Sequence, residues 1–132
     1  MRVVLDTNVL VAAFATRGLC AELFEVCLTD HRIILSEHIL HEVKENLLSK
    51  IQLPQNMVQE IMDYLKEETE TVNPEKIKGD VCRDKDDILI IGTALRGKAK
   101  FIITGDEDPL VLKKYNDIQI VTPREFWSRL AP

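Results

Sequence analysis

Glycine and proline are scarce in this 132-residue chain, five of each, and aromatic residues make up only 5%. That scarcity, with no repeat and no low-complexity stretch, excludes collagen-like, disordered and linker-rich architectures. Cysteine is scarce too. Cys20, Cys27 and Cys82 cannot all pair with one another, and no Cys-x-x-Cys spacing occurs, so a zinc or thiol-redox motif is not expected. Cys20 and Cys27, in an apolar helical pattern, read as reduced core-filling residues on one helix face. No apolar run approaches the roughly 20 residues that span a bilayer, which predicts no membrane segment. The first ten residues carry one Arg and then an acid, with no small-residue cleavage site after them. A signal peptide is therefore not expected, and the cytoplasm is the expected location. Positive charge is in deficit: 17 Lys and Arg face 22 Asp and Glu, a net charge of −5. A general basic coat for nucleic acid is thereby excluded.

What is present is an ordinary globular balance, 45% hydrophobic and 30% charged, in a length that suits one domain over residues 1–132. Arg2 to Leu5 is a short, nearly all-apolar segment of the kind buried on both faces of a parallel sheet. Asp6 or Thr7 caps a helix to about Ala15, and helical spacing resumes from Leu19 to Leu28. Arg32 to Leu35 reads as a second strand. Ser36 then caps a helix whose Ile39, Leu40, Val43 and Leu47 form an apolar stripe. Pro54 opens a helix to about Glu70, and Thr71 to Val72 reads as a short strand. Asp86 to Arg96 is a densely apolar helix ending at Gly97. Phe101 to Thr104 is a strand, Leu110 to Tyr115 a short helix, Ile118 to Val121 a strand, and Thr122 or Pro123 begins the last helix.

Strands alternating with helices predict a parallel α/β sheet covered on both faces. Ligands in such sheets sit beyond the carboxyl ends of the strands. Two of those ends are led by acids: Asp6-Thr7-Asn8, and Gly105-Asp106-Glu107-Asp108. Two further acids lie on helices. Asp87 is in the first turn of "DDILIIGTAL", and Glu42 stands about 115° from the centre of its helix's apolar stripe. Each has a plainer reading. Asp6 suits a helix cap, Asp87 answers a helix dipole, Glu42 suits a solvated face, and Asp106 and Asp108 suit a turn.

Taken together, carboxylates gathered at one sheet edge repel one another, and a divalent cation removes that cost. Oxygen ligands without cysteine suit Mg²⁺ or Mn²⁺. One or two such ions activate water and stabilise a leaving phosphodiester oxygen. His38 and His41, beside Glu42, fall on the face away from the apolar stripe and read as solvated histidines rather than zinc ligands. Asp106-Glu107-Asp108 does not open an EF-hand, since neither the sixth-position Gly nor the twelfth-position Glu follows.

The motifs "LDTNVL", "HILHEV", "DDILIIGTA" and "FIITGDEDPL" stand in this order along the chain. In that order, from Met1 to Trp127, they resemble the PIN domain, and within it the prokaryotic toxins of toxin–antitoxin pairs. The resemblance implies a three-layer α/β/α fold with a parallel five-stranded sheet of order 3-2-1-4-5. It implies that Asp6, Glu42, Asp87 and Asp106 bind metal and are catalytic. Asn8 and Thr104 would be orienting neighbours, Asp108 a fifth acid, and Asp84 the alternative to Asp87 in the run Asp84-Lys85-Asp86-Asp87. The implied activity is Mg²⁺- or Mn²⁺-dependent endoribonuclease cleavage that leaves a 5′ phosphate. An antitoxin and a second copy of the chain are the implied partners.

Arg17, Arg83 and Lys85 lie near predicted strand-end loops and are candidate phosphate contacts, with plain solubilising charge as the alternative. From Lys76 to Lys100 there are seven basic residues against four acids. That leaves room for a small basic rim beside an acidic centre. Two other readings compete. A phosphotransfer receiver also holds Mg²⁺, but it needs paired acids after its first strand and a Lys after its last, which "VTPREF" lacks. A PIN-like RNA- or protein-binding module with little catalysis is the second.

Overall fold

The computed structural model describes residues 1–77, 85–105 and 114–130. Val3, Val4 and Leu5 are fully buried in β1 (Arg2–Leu5), and Ile33, Ile34 and Leu35 do the same in β2 (Arg32–Leu35). Consecutive burial, without alternation, is what a sheet covered on both faces produces. The remaining strands are β3 (Glu70–Thr71), β4 (Phe101–Ile103), β5 (Lys114–Tyr115) and β6 (Ile118–Val121). They form one sheet of order β3-β2-β1-β4-β6-β5. β1 pairs in parallel with β2 and β4, β2 with β3, and β4 with β6. The five parallel strands therefore keep the expected order, with β6 as the fifth.

One strand is additional. β5 pairs antiparallel with β6, placing Lys114 opposite Gln119 and Tyr115 opposite Ile118. The expected helix over Leu110 to Tyr115 does not hold at its end, while residues 110–113 lie outside the described residues. The cause is a two-residue turn at Asn116-Asp117. Asn116 takes φ 52, a left-handed conformation that asparagine tolerates well and that hairpin turns require.

Six helices are described: α1 (Thr7–Ala15), α2 (Leu19–Asp30), α3 (Glu37–Ser49), α4 (Gln55–Glu68), α5 (Lys85–Arg96) and α6 (Pro123–Leu130). α1 touches α2 and α3, α3 touches α4, and α2 touches α6, which makes one continuous helical layer. α5 instead packs directly on β1, β2 and β4. Right-handed crossovers put it on the opposite face, because the chain reverses direction across the sheet between β3 and β4. β1 and β4, neighbours at that reversal, define the edge where a ligand is expected. Among the described residues no helix is long and apolar enough to cross a membrane.

Two glycines hold α5 in place. A Cβ on Gly92 would lie 2.3 Å from the Glu75 carbonyl oxygen, so the 74–75 backbone crosses the helix where only hydrogen fits. The Glu75 amide donates to the Gly92 carbonyl at 2.9 Å there. A Cβ on Gly97 would meet Ile34 Cγ2 at 2.4 Å. The left-handed residue after α5 is Lys98, φ 55, so Gly97 is needed for its close approach to β2.

Candidate metal centre

Asp6 is the N-cap of α1 and is 5% exposed, so the strand-end acid and the helix cap are one residue. Its backbone continues β1: the Asp6 amide donates to the Ile103 carbonyl at 3.0 Å. Its carboxylate is held at both oxygens. The Thr7 amide donates to Oδ1 at 2.7 Å, and the Thr104 hydroxyl donates to Oδ2 at 2.6 Å. Hydrogen bonds at both oxygens fix the rotation of this carboxylate. Thr104 follows β4 and is fully buried, which explains a polar residue closing an otherwise apolar strand.

Glu42 is brought to Asp6 through Thr7, whose hydroxyl donates to Glu42 Oε1 at 3.1 Å. Ser36 Oγ caps α3 by accepting from the Ile39 amide, and the apolar stripe of α3 is buried, so the Glu42 side chain emerges at the margin, 30% exposed. Burial above all, and then the neighbouring Asp86 carboxylate, pushes the Glu42 carboxyl above its ordinary range. Nearby His38 and the Thr7 hydroxyl pull it back down, and Asp6 adds to the rise. Asp87 is 2% exposed in the first turn of α5. The amino ends of α1 and α5 therefore carry site acids, and their dipoles favour negative charge there, while Glu42 stands in the second turn of α3.

Sequence reasoning missed two residues. His38 Nε2 lies 3.2 Å from Glu42 Oε1 and 3.0 Å from Asp86 Oδ1. The solvated-histidine expectation is thereby corrected for His38: the nitrogen is shielded from solvent, whereas His41 is exposed. The spacing of His38 four residues before Glu42 was the available signal, since it puts both on one helix face. Asp86, at the amino end of α5, approaches Nε2 through a contact between distant parts of the chain.

Among the described residues, His38, Glu42 and Asp86 form a group whose donor atoms all lie within 4.8 Å of one another. Carboxylate-rich donors without thiolate fit a hard or borderline divalent cation. Of the other candidates, Asn8 is exposed in the first turn of α1, Arg17 is exposed between α1 and α2, and Lys85 is exposed at the start of α5. Asp84, Arg83, Asp106 and Asp108 lie outside the described residues.

A family profile described as the PIN domain matches residues 2–108. Two solved structures are similar in fold. One is VapBC2 from Rickettsia felis bound to a DNA fragment from their promoter, with TM-score 0.64 and 16% identity, covering 92% of this chain and 98% of that one. The other is VapBC-1 from nontypeable Haemophilus influenzae, with TM-score 0.64 and 18% identity, covering 94% and 99%. No curated protein sequence gives a significant match.

Proposed function

The chain belongs to the PIN-domain family, and on that premise we propose that it is a divalent-metal-dependent endoribonuclease and the toxin of a toxin–antitoxin pair. The observation that carries the reading is the linkage at the sheet edge. Asp6, fixed at both oxygens, is joined through Thr7 to Glu42, and Asp87 is buried at the start of the helix packed on β1 and β4. Two buried carboxylates, Asp6 and Asp87, with a partly buried third, Glu42, linked to Asp6 through Thr7, are costly for folding alone and suit a cation. Asp6, Glu42 and Asp87 would hold one or two Mg²⁺ or Mn²⁺ ions, with Asp106 as the fourth acid by resemblance.

A cation held by these residues would supply Lewis acidity, toward a water and toward the departing 3′ oxygen. The protein's own part is to fix donors before substrate arrives. Thr104 and Thr7 set the rotation of the Asp6 carboxylate, so little reorganisation is left to the reaction step. The Glu42 carboxyl, pushed upward by burial, would be drawn to its charged form by a neighbouring positive charge. Arg17 and Lys85, both exposed, are proposed to meet RNA phosphates, with Arg83 two residues before Lys85 in sequence as a third. Such contacts give binding that weakens steeply with salt. The cytoplasm, an antitoxin protein and a homodimer complete the proposal, the antitoxin being suggested by the VapBC complexes of similar fold.

Labelled RNA incubated with purified protein tests this directly, in Mn²⁺, in Mg²⁺ and in EDTA. Cleavage confined to the metal lanes, with 5′-phosphate ends, is the expected result. RNA left intact in every lane, but bound equally well in EDTA, overturns it in favour of a binding module.

A further inference from the structure

The group on His38 differs chemically from the carboxylates around Asp6. Its nitrogen is shielded from solvent and close to two carboxylate oxygens, at 3.0 and 3.2 Å, yet neither contact has hydrogen-bond alignment. An imidazole paired simply with one carboxylate points its nitrogen at that oxygen. His38 Nε2 makes no such bond to either oxygen, although both are within 3.2 Å. Donors bonded to one octahedral ion at roughly 2.1 Å and at right angles stand roughly 3.0 Å apart. The two separations are close to that value, as expected of donors set to share one ion.

We propose that His38 Nε2, Glu42 and Asp86 form a mixed nitrogen–oxygen site for a divalent transition metal such as Mn²⁺ or Co²⁺, selecting against Mg²⁺. Imidazole nitrogen favours transition metals, whereas Mg²⁺ prefers oxygen and gives up its waters reluctantly. The elements support rigid placement. His38 and Glu42 are one turn apart on α3, and Asp86 is in the first turn of α5, so docking of the two helices builds the site. Glu42 would join this ion to the centre at Asp6, and to that extent the inference rests on the reading of Glu42 as a metal ligand.

The test uses untagged protein, titrated with Mn²⁺ and with Mg²⁺ by calorimetry, and the Mn²⁺ complex examined by pulsed electron paramagnetic resonance. Wild type should show ¹⁴N coupling from a coordinated imidazole. His38→Gln should lose that coupling and bind Mn²⁺ roughly 10-fold or more weakly, in line with losses on disturbing metal ligation. Its Mg²⁺ affinity should stay within about twofold. Asp86→Asn should weaken Mn²⁺ as well, and His41→Gln should change nothing. His38 and Asp86 side chains are 29% and 50% exposed, so these variants should fold, checked by circular dichroism. Mn²⁺ bound without ¹⁴N coupling, or coupling unchanged in His38→Gln, overturns this site while leaving the centre at Asp6 standing. No Mn²⁺ or Mg²⁺ bound by wild type overturns both.

Discussion

Replacing Glu42 by Gln should stabilise the metal-free protein and destabilise the metal-loaded one. Glu42 and Asp86 offer carboxylate oxygens within 4.8 Å of each other. Two unit charges at that separation repel by about 1 kcal/mol in a water-like dielectric and by about 3.5 kcal/mol at an effective constant of 20. The Asp86 side chain is 50% exposed and Glu42 30%, so solvent screening puts the effect at the low end, about 1 kcal/mol. Glutamine keeps an oxygen for the Thr7 hydroxyl, so the swap removes mainly charge. For a chain of this length that gain corresponds to a Tm rise of about 4 °C.

The pH dependence has a definite sign. Burial first, then Asp86, raises the Glu42 carboxyl above its ordinary value of 4.5, so the folded state holds this proton to higher pH than the unfolded chain does. The stability this contributes is full below the ordinary value and is lost as pH rises through the raised one. Glu42→Gln should therefore match wild type near pH 4 and exceed it at pH 8, in EDTA. With Mn²⁺ at about 100 times its Kd, wild type gains about 2.7 kcal/mol by linkage and the order reverses. Thermal melts at the two pH values, with and without metal, give all four numbers. A metal-free variant less stable than wild type at pH 8 would refute the reasoning, because Glu42 would then be a net stabilising contact.

Other outcomes follow from the same contacts. Thr104→Val removes the buried 2.6 Å hydrogen bond to Asp6 and should cost about 1.5–3 kcal/mol in urea unfolding, while Thr104→Ser keeps most of it. Gly92→Ala drives a methyl to 2.3 Å from the Glu75 carbonyl and should destabilise by about 1–3 kcal/mol, although alanine favours helix by about 1 kcal/mol. A more stable Gly92→Ala would mean that the 74–75 backbone does not cross α5 there. Cys27 is fully buried, and that burial pushes its thiol up to about 12. Peptide mapping after alkylation of native protein at pH 8 should find Cys27 unmodified, with labelling appearing only in denaturant.

The fold was legible because each local signal agreed with the others. The unbroken apolar runs at Val3–Leu5 and Ile33–Leu35 mark strands buried on both faces, and Asp6 and Ser36 cap the helices that follow β1 and β3's neighbour β2. The rule that ligands gather beyond strand ends directed attention to Asp6, and the PIN-domain resemblance to Thr104; the structure joins the two by a hydrogen bond. Asp87 could be located by the helix it opens. What was not legible depends on contacts between distant segments. His38 looked solvated from the periodicity of α3 alone, whereas its Nε2 is approached by Asp86 from α5, a contact that α3 by itself does not reveal. Gly97 looked like a helix stop, yet Ile34 on β2 is what requires it. The two-residue strand β5 is too short to leave a periodic pattern, and its partner β6 and the turn at Asn116 define it.

The central claim is that the carboxylates at the end of β1 and on α3 and α5 are placed together for metal-dependent RNA cleavage. The most direct measurement compares single-turnover cleavage of labelled RNA by wild type and Asp6→Asn at saturating Mn²⁺, alongside their thermal melts. The account predicts a loss of roughly 100-fold or more in the variant, the scale of removing a preorganised electrostatic group from an active site, with a folded protein in both samples. Equal rates in wild type and Asp6→Asn would contradict it.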